Sequence, residues 1–208
     1  AGSVAYVREV APEVRVIGVE PDDAACLAGA LAAGEPVDIG PVGLFADGVA
    51  VRKIGSHPFE ILRDSIDEVV TVGIDEICAA IRDVFEDTRS IAGPAGALAT
   101  AGMKRWIARD EVRDARLVAI DSGANMNFDR FRHVAERAEI GEQREALLAV
   151  TTHERAAACR ALCPALVKHS VTAFNYRYGG PEEADGTCGA GLSGSGTARE
   201  PFPHGLRP

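Results

Sequence analysis

Three short, β-branched apolar runs set the main constraint on this chain: VRVIGVE at 14–20, EVVTV at 68–72 and RLVAI at 116–120. Each is separated from the next by stretches with helical spacing, so the runs cannot be joined by tight hairpins. Parallel strands need a crossover of a dozen or more residues, usually a helix. The pattern therefore predicts an α/β fold, a mostly parallel sheet with helices on both faces. After VRVIGVE, Pro21 ends the strand and Asp22 and Asp23 are expected to cap a helix that runs to Gly34. After EVVTV, a helix carries Ile74, Ile77, Cys78, Ile81, Val84 and Phe85 on one face. GPAGA at 93–97 then opens ALATAGMKRWIARD, a helix whose small residues permit close approach to a sheet.

In open parallel sheets, ligands bind outside the carboxyl ends of the strands. The stretch DSGANMNF at 121–128 follows RLVAI at such an edge, with one hydroxyl, one glycine and two carboxamides nearly adjacent. Three other segments are expected to gather there: GVEPDDAAC after the first strand, the loop GLFADGVAV at 43–51, and GPAGA, whose helix N-terminus would offer unpaired N–H groups to an anion. Ser, Gly and Asn also dominate ordinary turns, so this segment alone would read as a turn.

A net charge of -9, with acidic and basic residues interleaved as in RDEVRDAR at 109–116, opposes binding to nucleic acid or an anionic membrane. The apolar fraction of 47% is that of a globular protein, and no run approaches the length of a membrane span. Five cysteines at uneven spacing indicate buried thiols in a reducing cytoplasm, with Cys159 and Cys163 on one face of a helix. The histidines at 57, 133, 153, 169 and 204 are scattered in polar contexts and read as solvated or capping residues.

Beyond GEQRE at 141–145 the character changes. REALLAVTT reads as a strand, HERAAACRALCPALV as a helix and SVTAFNYRY as a strand with Phe174, Tyr176 and Tyr178 on one side, a β-α-β opening of a second domain. From Gly179 onward, Gly and Pro supply 12 of 30 residues and neither Val nor Ile occurs, which predicts a disordered tail and suggests a frame change or a truncated gene. At the other end the chain opens, without Met, inside an apolar-periodic helix, and reads as a fragment.

The stretches VEPDDAACLAGALAAGEPVD, VGLFADGVAVRKIG, ICAAIRDVFEDTRSIAGPAGALATAGMK, DSGANMNFDRFRHVAERAEIGEQREALLAV and SVTAFNYRY together resemble the biosynthetic threonine dehydratases, pyridoxal-phosphate enzymes of the tryptophan synthase β fold type. The resemblance spans roughly residues 1–178 in order. It implies pyridoxal 5'-phosphate as cofactor and deamination of L-threonine to 2-oxobutanoate and ammonia, the committed step toward isoleucine. Residues 1–138 would be the distal part of the catalytic domain, 139–178 the start of an ACT-like regulatory domain, and 179–208 the tail. Isoleucine would be the allosteric effector of a full-length homo-oligomer, and a single β-α-β passage is not expected to bind it unaided.

By the same resemblance, Ser122 hydrogen-bonds the pyridine nitrogen of the cofactor, Gly123 lets the backbone pass close to the ring, and the Gly48 backbone packs beside it. No catalytic residue is assigned within the chain, because the lysine that holds the cofactor as a Schiff base lies upstream in the family. Lys53, Lys104 and Lys168 read as surface residues. Glu20 and Ala24 match cation-binding positions of the related serine racemases, but Cys26 stands where the third, acidic ligand is found, so no metal is assigned. Gly93 replaces an acidic residue usual in the family. Two alternatives stand beside this reading: a non-catalytic fragment or oligomerisation subunit, and a serine dehydratase or racemase of the same fold type.

Overall fold

The computed structural model describes residues 1–153, 170–177 and 185–193. The chain divides into two compact units, Ala1–Gly141 and Glu142–Pro208.

The first unit is built on a parallel pair of strands, β1 (Ile17–Pro21) and β2 (Glu68–Val72), in register with Val19 opposite Val70. Successive side chains of a strand point to opposite faces, and both faces here are covered. On one, Ile17, Val19, Val70 and Val72 pack with α4 (Ile74–Thr88) and α5 (Pro94–Asp110) through Ile77, Cys78, Ile81, Ala97 and Ala101. On the other, Val16, Ile66 and Val69 pack with Val4, Leu27 and Leu62, which come from α1 (Gly2–Val10), α2 (Cys26–Ala33) and α3 (Ser56–Leu62). The expected α/β architecture and the expected strand at EVVTV are thus present. The small residues of α5 do what their size permits, since a Cβ on Gly102 would lie 2.3 Å from Val19 Cγ2.

The cap of α2 differs from expectation. Asp22 and Asp23 occupy a turn, and the Leu27 and Ala28 N–H groups donate instead to the two carboxylate oxygens of Glu20, at 2.8 and 2.9 Å. The strand end thus places a negative charge at the helix N-terminus, where the unpaired N–H groups and the helix dipole favour it. Gly34, in the left-handed region with φ 76°, ends that helix as expected.

A larger correction concerns RLVAI. Residues 116–120 form no strand, and Val118 and Ile120 are 90% and 67% exposed. A strand exists only where a neighbour offers its N–H and C=O groups. Among the described residues the parallel sheet consists of β1 and β2 alone. The apolar run therefore passes as extended chain into DSGANMNF. Then α6 (Arg130–Gly141) returns to the core, burying Val134 and Ala138 and joining α4 through the Arg137–Asp75 ion pair at 2.5 Å and a contact between Arg82 and Glu139.

The second unit contains β3 (Glu145–His153), β4 (Ser170–Arg177) and β5 (Asp185–Ser193) in one antiparallel sheet of order β3-β5-β4. Since β3 and β4 both run opposite to β5, they are parallel to each other, as a β-α-β passage requires. The expected helix between them lies outside the described residues. The expectation of a disordered tail is corrected over Asp185–Ser193, which pairs on both sides, with Cys188 opposite Val150 and Tyr176. The exclusion rested on missing Val and Ile, but a central strand is held first by its two backbone ladders. The rest of 179–208 lies outside the described residues.

Candidate functional site

Four loop segments meet around the carboxyl end of β1 and the amino end of α5, and close backbone approach at glycines joins them. Beyond β1, the Gly43 N–H donates to the Asp23 carbonyl at 3.1 Å, and a Cβ on Gly43 would lie 1.7 Å from Asp23 Oδ2. The loop from Gly43 carries Phe45 and the buried Ala46 into a short 3-10 turn, Asp47–Val49. There Gly48 abuts α5, with a Cβ 3.1 Å from that of Ala95. At the next residue, a Cβ on Gly96 would stand 2.1 Å from the Gly123 carbonyl oxygen and 2.6 Å from Asp121 Oδ1. Gly48 and Gly123, far apart in sequence, are thereby brought to consecutive residues of one helix.

The amino end of α5 is closed by this arrangement. The Gly93 N–H donates to the Gly123 carbonyl at 2.8 Å, and Pro94 has no N–H to offer. The Ala97 N–H donates to the Gly93 carbonyl at 2.9 Å, so of the N–H groups expected at GPAGA only those of Ala95 and Gly96 have no acceptor among the described residues. The same packing gives a physical reason for glycine at position 93, because a side chain there would start 2.6 Å from the Asn125 carbonyl oxygen.

Ser122 is exposed, and its hydroxyl has no hydrogen-bond partner among the described residues. Nothing lies within 4 Å of where a Cβ of Gly123 would stand. The donor set at this edge is one free hydroxyl beside backbone that can be approached without side-chain obstruction. It suits a neutral heteroaromatic nitrogen accepting one hydrogen bond beside a flat ring, so the residues present fit a pyridoxal-type group. Asp129, Arg130, His133, Leu44 and Phe45 line an adjoining pocket of about 420 Å³.

Of the residues set aside from sequence, Lys104 is ion-paired with Asp83 and Lys53 is exposed, in keeping with surface roles. His57 is fully solvated beside Glu60. His133 is exposed, as expected, and its ring also meets Phe45 edge-on with centroids 5.9 Å apart. Arg130 also escaped notice, and its guanidinium donates to the Phe45 carbonyl at 3.3 Å. Spacing could not reveal either contact, because 85 positions separate Arg130 from Phe45 and 88 separate His133 from it. Glu20 accepts hydrogen bonds from two helix amides, and burial together with the Glu20 carboxylate pushes the Cys26 thiol up. Among the described residues no group of three side chains has the arrangement to hold a metal ion.

A parallel strand pair with helices on both faces and glycine-lined loops at its carboxyl edge defines an α/β protein with a candidate ligand site at that edge. The family model described as pyridoxal-phosphate dependent enzyme matches residues 1–123, and the chain belongs to this family. It is 49% identical over 193 residues to the biosynthetic L-threonine dehydratase IlvA of Escherichia coli, covering 93% of this chain and 38% of that protein. It is 48% identical over 187 residues to the mitochondrial threonine dehydratase of Schizosaccharomyces pombe, covering 89% of this chain and 31% of the relative. The processed form of threonine deaminase isoform 2 from Solanum lycopersicum superposes with a TM-score of 0.64 at 38% identity, over 66% of this chain and 41% of that one. The chain thus spans well under half the length of these relatives.

Proposed function

We propose that this chain forms part of a pyridoxal-phosphate dependent threonine dehydratase, which converts L-threonine to 2-oxobutanoate and ammonia on the way to isoleucine. The observation that carries the reading is the convergence of Gly48 and Gly123 on Ala95 and Gly96, with the unpartnered Ser122 hydroxyl beside them. The named relatives support the choice of substrate.

Ser122 would hold the cofactor by donating its hydroxyl hydrogen to the ring nitrogen. A neutral alcohol, unlike a carboxylate, would not hold that nitrogen protonated. Gly48 and Gly123 would let the backbone lie close to the ring without a Cβ in the way. When bound, the cofactor withdraws electrons from the substrate α-carbon. The moderate withdrawal set by Ser122 suits loss of a β-hydroxyl, because the departing group drains the developing charge quickly. Ala46 is buried and Phe45 packs on the core cluster, so the loop that carries Gly48 is anchored on its core side. No residue of this chain is assigned the proton abstraction.

The second unit, by the same reading, opens an ACT-like module through which isoleucine regulates a cytoplasmic homo-oligomer. Its support is the parallel relation of β3 and β4. Among the described residues no helix is long and apolar enough to cross a membrane.

The test joins this chain to the amino-terminal portion of the Escherichia coli relative and measures 2-oxobutanoate from L-threonine against pyruvate from L-serine. Threonine turnover in excess is expected. Equal or greater pyruvate output would overturn the substrate assignment and favour the serine reading.

A further inference from the structure

We infer that Arg130, with His133, is a positioning residue that fixes the Gly48 loop against α5, so that one helix end sets the spacing between the Gly48 and Ser122 segments. The inference rests on the cofactor reading only for its consequence; the clamp itself is geometric.

Arg130 is the first residue of α6 and lies two residues beyond Phe128, where DSGANMNF ends. The turn into the helix is fixed by the Arg130 N–H donating to the Asn127 carbonyl at 3.0 Å, and the Phe131 N–H to the Phe128 carbonyl at 3.1 Å. From this anchored position the partly buried guanidinium crosses to the Phe45 carbonyl, while the His133 ring, one helical turn on, meets the Phe45 ring at 60°. The two contacts hold Phe45 at its backbone and at its side chain.

Phe45 lies three residues before Gly48. The turn carries its own bonds from Val49 N–H to the Ala46 carbonyl at 3.0 Å and from Ala50 N–H to the Asp47 carbonyl at 3.2 Å, and the buried Ala46 and the packing of Val49 seat it on the core. Phe45, Val49 and Met126 pack on the same core cluster as Val134 and Ala138 of α6. The Gly48 loop and the segment after Ser122 therefore share one floor, and Arg130 is the polar tie between them. A hydrogen bond from a charged donor is stronger than a neutral one, which suits a bond made across the open mouth of a pocket.

Amide hydrogen exchange of the full 208-residue chain, without cofactor, tests this. In Arg130→Met, which keeps the stem and removes the donor, exchange at Val49 and Ala50 is expected to quicken about tenfold, while Ile77 and Ile81 in α4 keep their protection. Arg130→Lys, which retains a donor, should restore most of the loop protection, and His133→Ala should release the loop as Arg130→Met does. An unchanged rate at Val49 and Ala50, or an equal rise at Ile77 and Ile81, overturns the clamp. Either outcome leaves the cofactor reading standing. Selective release of the loop with undiminished cofactor affinity in the joined enzyme would instead refute the role of Gly48 and keep the clamp.

Discussion

The Gly93 N–H and the Gly123 carbonyl are joined at 2.8 Å, so the amino end of α5 is closed by the backbone of the loop that carries Ser122. The partners lie 30 positions apart in sequence, and only position 93 is sterically constrained, since a Cβ there would meet the Asn125 carbonyl oxygen at 2.6 Å whereas one at 123 would meet nothing within 4 Å.

Gly93→Asp introduces the acidic residue that the family resemblance implies at this position, at the cost of this closure. An N-cap aspartate gains only a few tenths of a kcal/mol over glycine, whereas forcing a Cβ against the Asn125 backbone costs about 1–3 kcal/mol. The net expectation is a loss of about 1 kcal/mol, read as a lower urea midpoint, with faster proteolysis within 121–126. A midpoint raised above that of the parent would show that the loop yields freely.

At Gly102 the same comparison applies in the core. Alanine in mid-helix is favoured over glycine by about 1 kcal/mol, but its methyl would meet Val19 at 2.3 Å, with both backbones held by the sheet and α5. Gly102→Ala should destabilise by about 1–2 kcal/mol. In the Val19→Ala background the same change should become neutral or stabilising, and strict additivity in the double-mutant cycle would disprove the contact.

Acid stability should depend on Asp67. The Val16 N–H, and then Arg8, hold its carboxyl below the usual aspartate range. A depressed folded value means that the stabilisation is complete above the unfolded value of about 3.9 and is lost as pH falls through the folded one. Asp67→Asn should lower the melting temperature at neutral pH and flatten its fall below about pH 4. An acid limb as steep as the parent's would assign the effect to other carboxylates.

Burial, reinforced by Asp75, pushes the Cys78 thiol up to about 12. The thiolate is the reactive species, so peptide-resolved alkylation at pH 8 should leave Cys78 unmodified in the folded chain and label it only in denaturant. Cys26, raised by burial and by Glu20, should behave alike but react first as denaturant increases. Rapid native labelling of Cys78 would contradict the packing of α4.

On the proposed reading, Ser122→Ala in the joined enzyme removes one hydrogen bond to the bound ring. A loss of about tenfold in kcat is expected, with a displaced cofactor absorption band and little change in melting temperature, since the side chain is exposed. An unaltered band would place the ring nitrogen elsewhere.

Much of this protein was legible from local pattern. EVVTV forms a strand over the expected five residues, and the helix after it buries Ile77, Cys78 and Ile81 as its period requires. The small residues of α5 foretold its approach to β1. Ser122, Gly123 and Gly48 were singled out by the family resemblance, since Ser, Gly and Asn in the local sequence alone read as ordinary turns. RLVAI misled for the reason that it was persuasive: its apolar character states a preference for pairing but cannot supply the partner. In the opposite sense Asp185–Ser193 looked too poor in side chains to be a strand, yet its backbone is paired on both sides.

The sequence by itself determined which segments prefer helix or strand, because propensity and periodicity act between residues a few positions apart. It also determined the chemical types available at the sheet edge. Only the tertiary structure decided that Glu20 rather than Asp22 or Asp23 meets the N-terminus of α2, that Gly93 closes on Gly123, and that Arg130 reaches Phe45. Those outcomes depend on distances between backbone segments far apart in the chain, set when the two faces of the β1–β2 pair are buried.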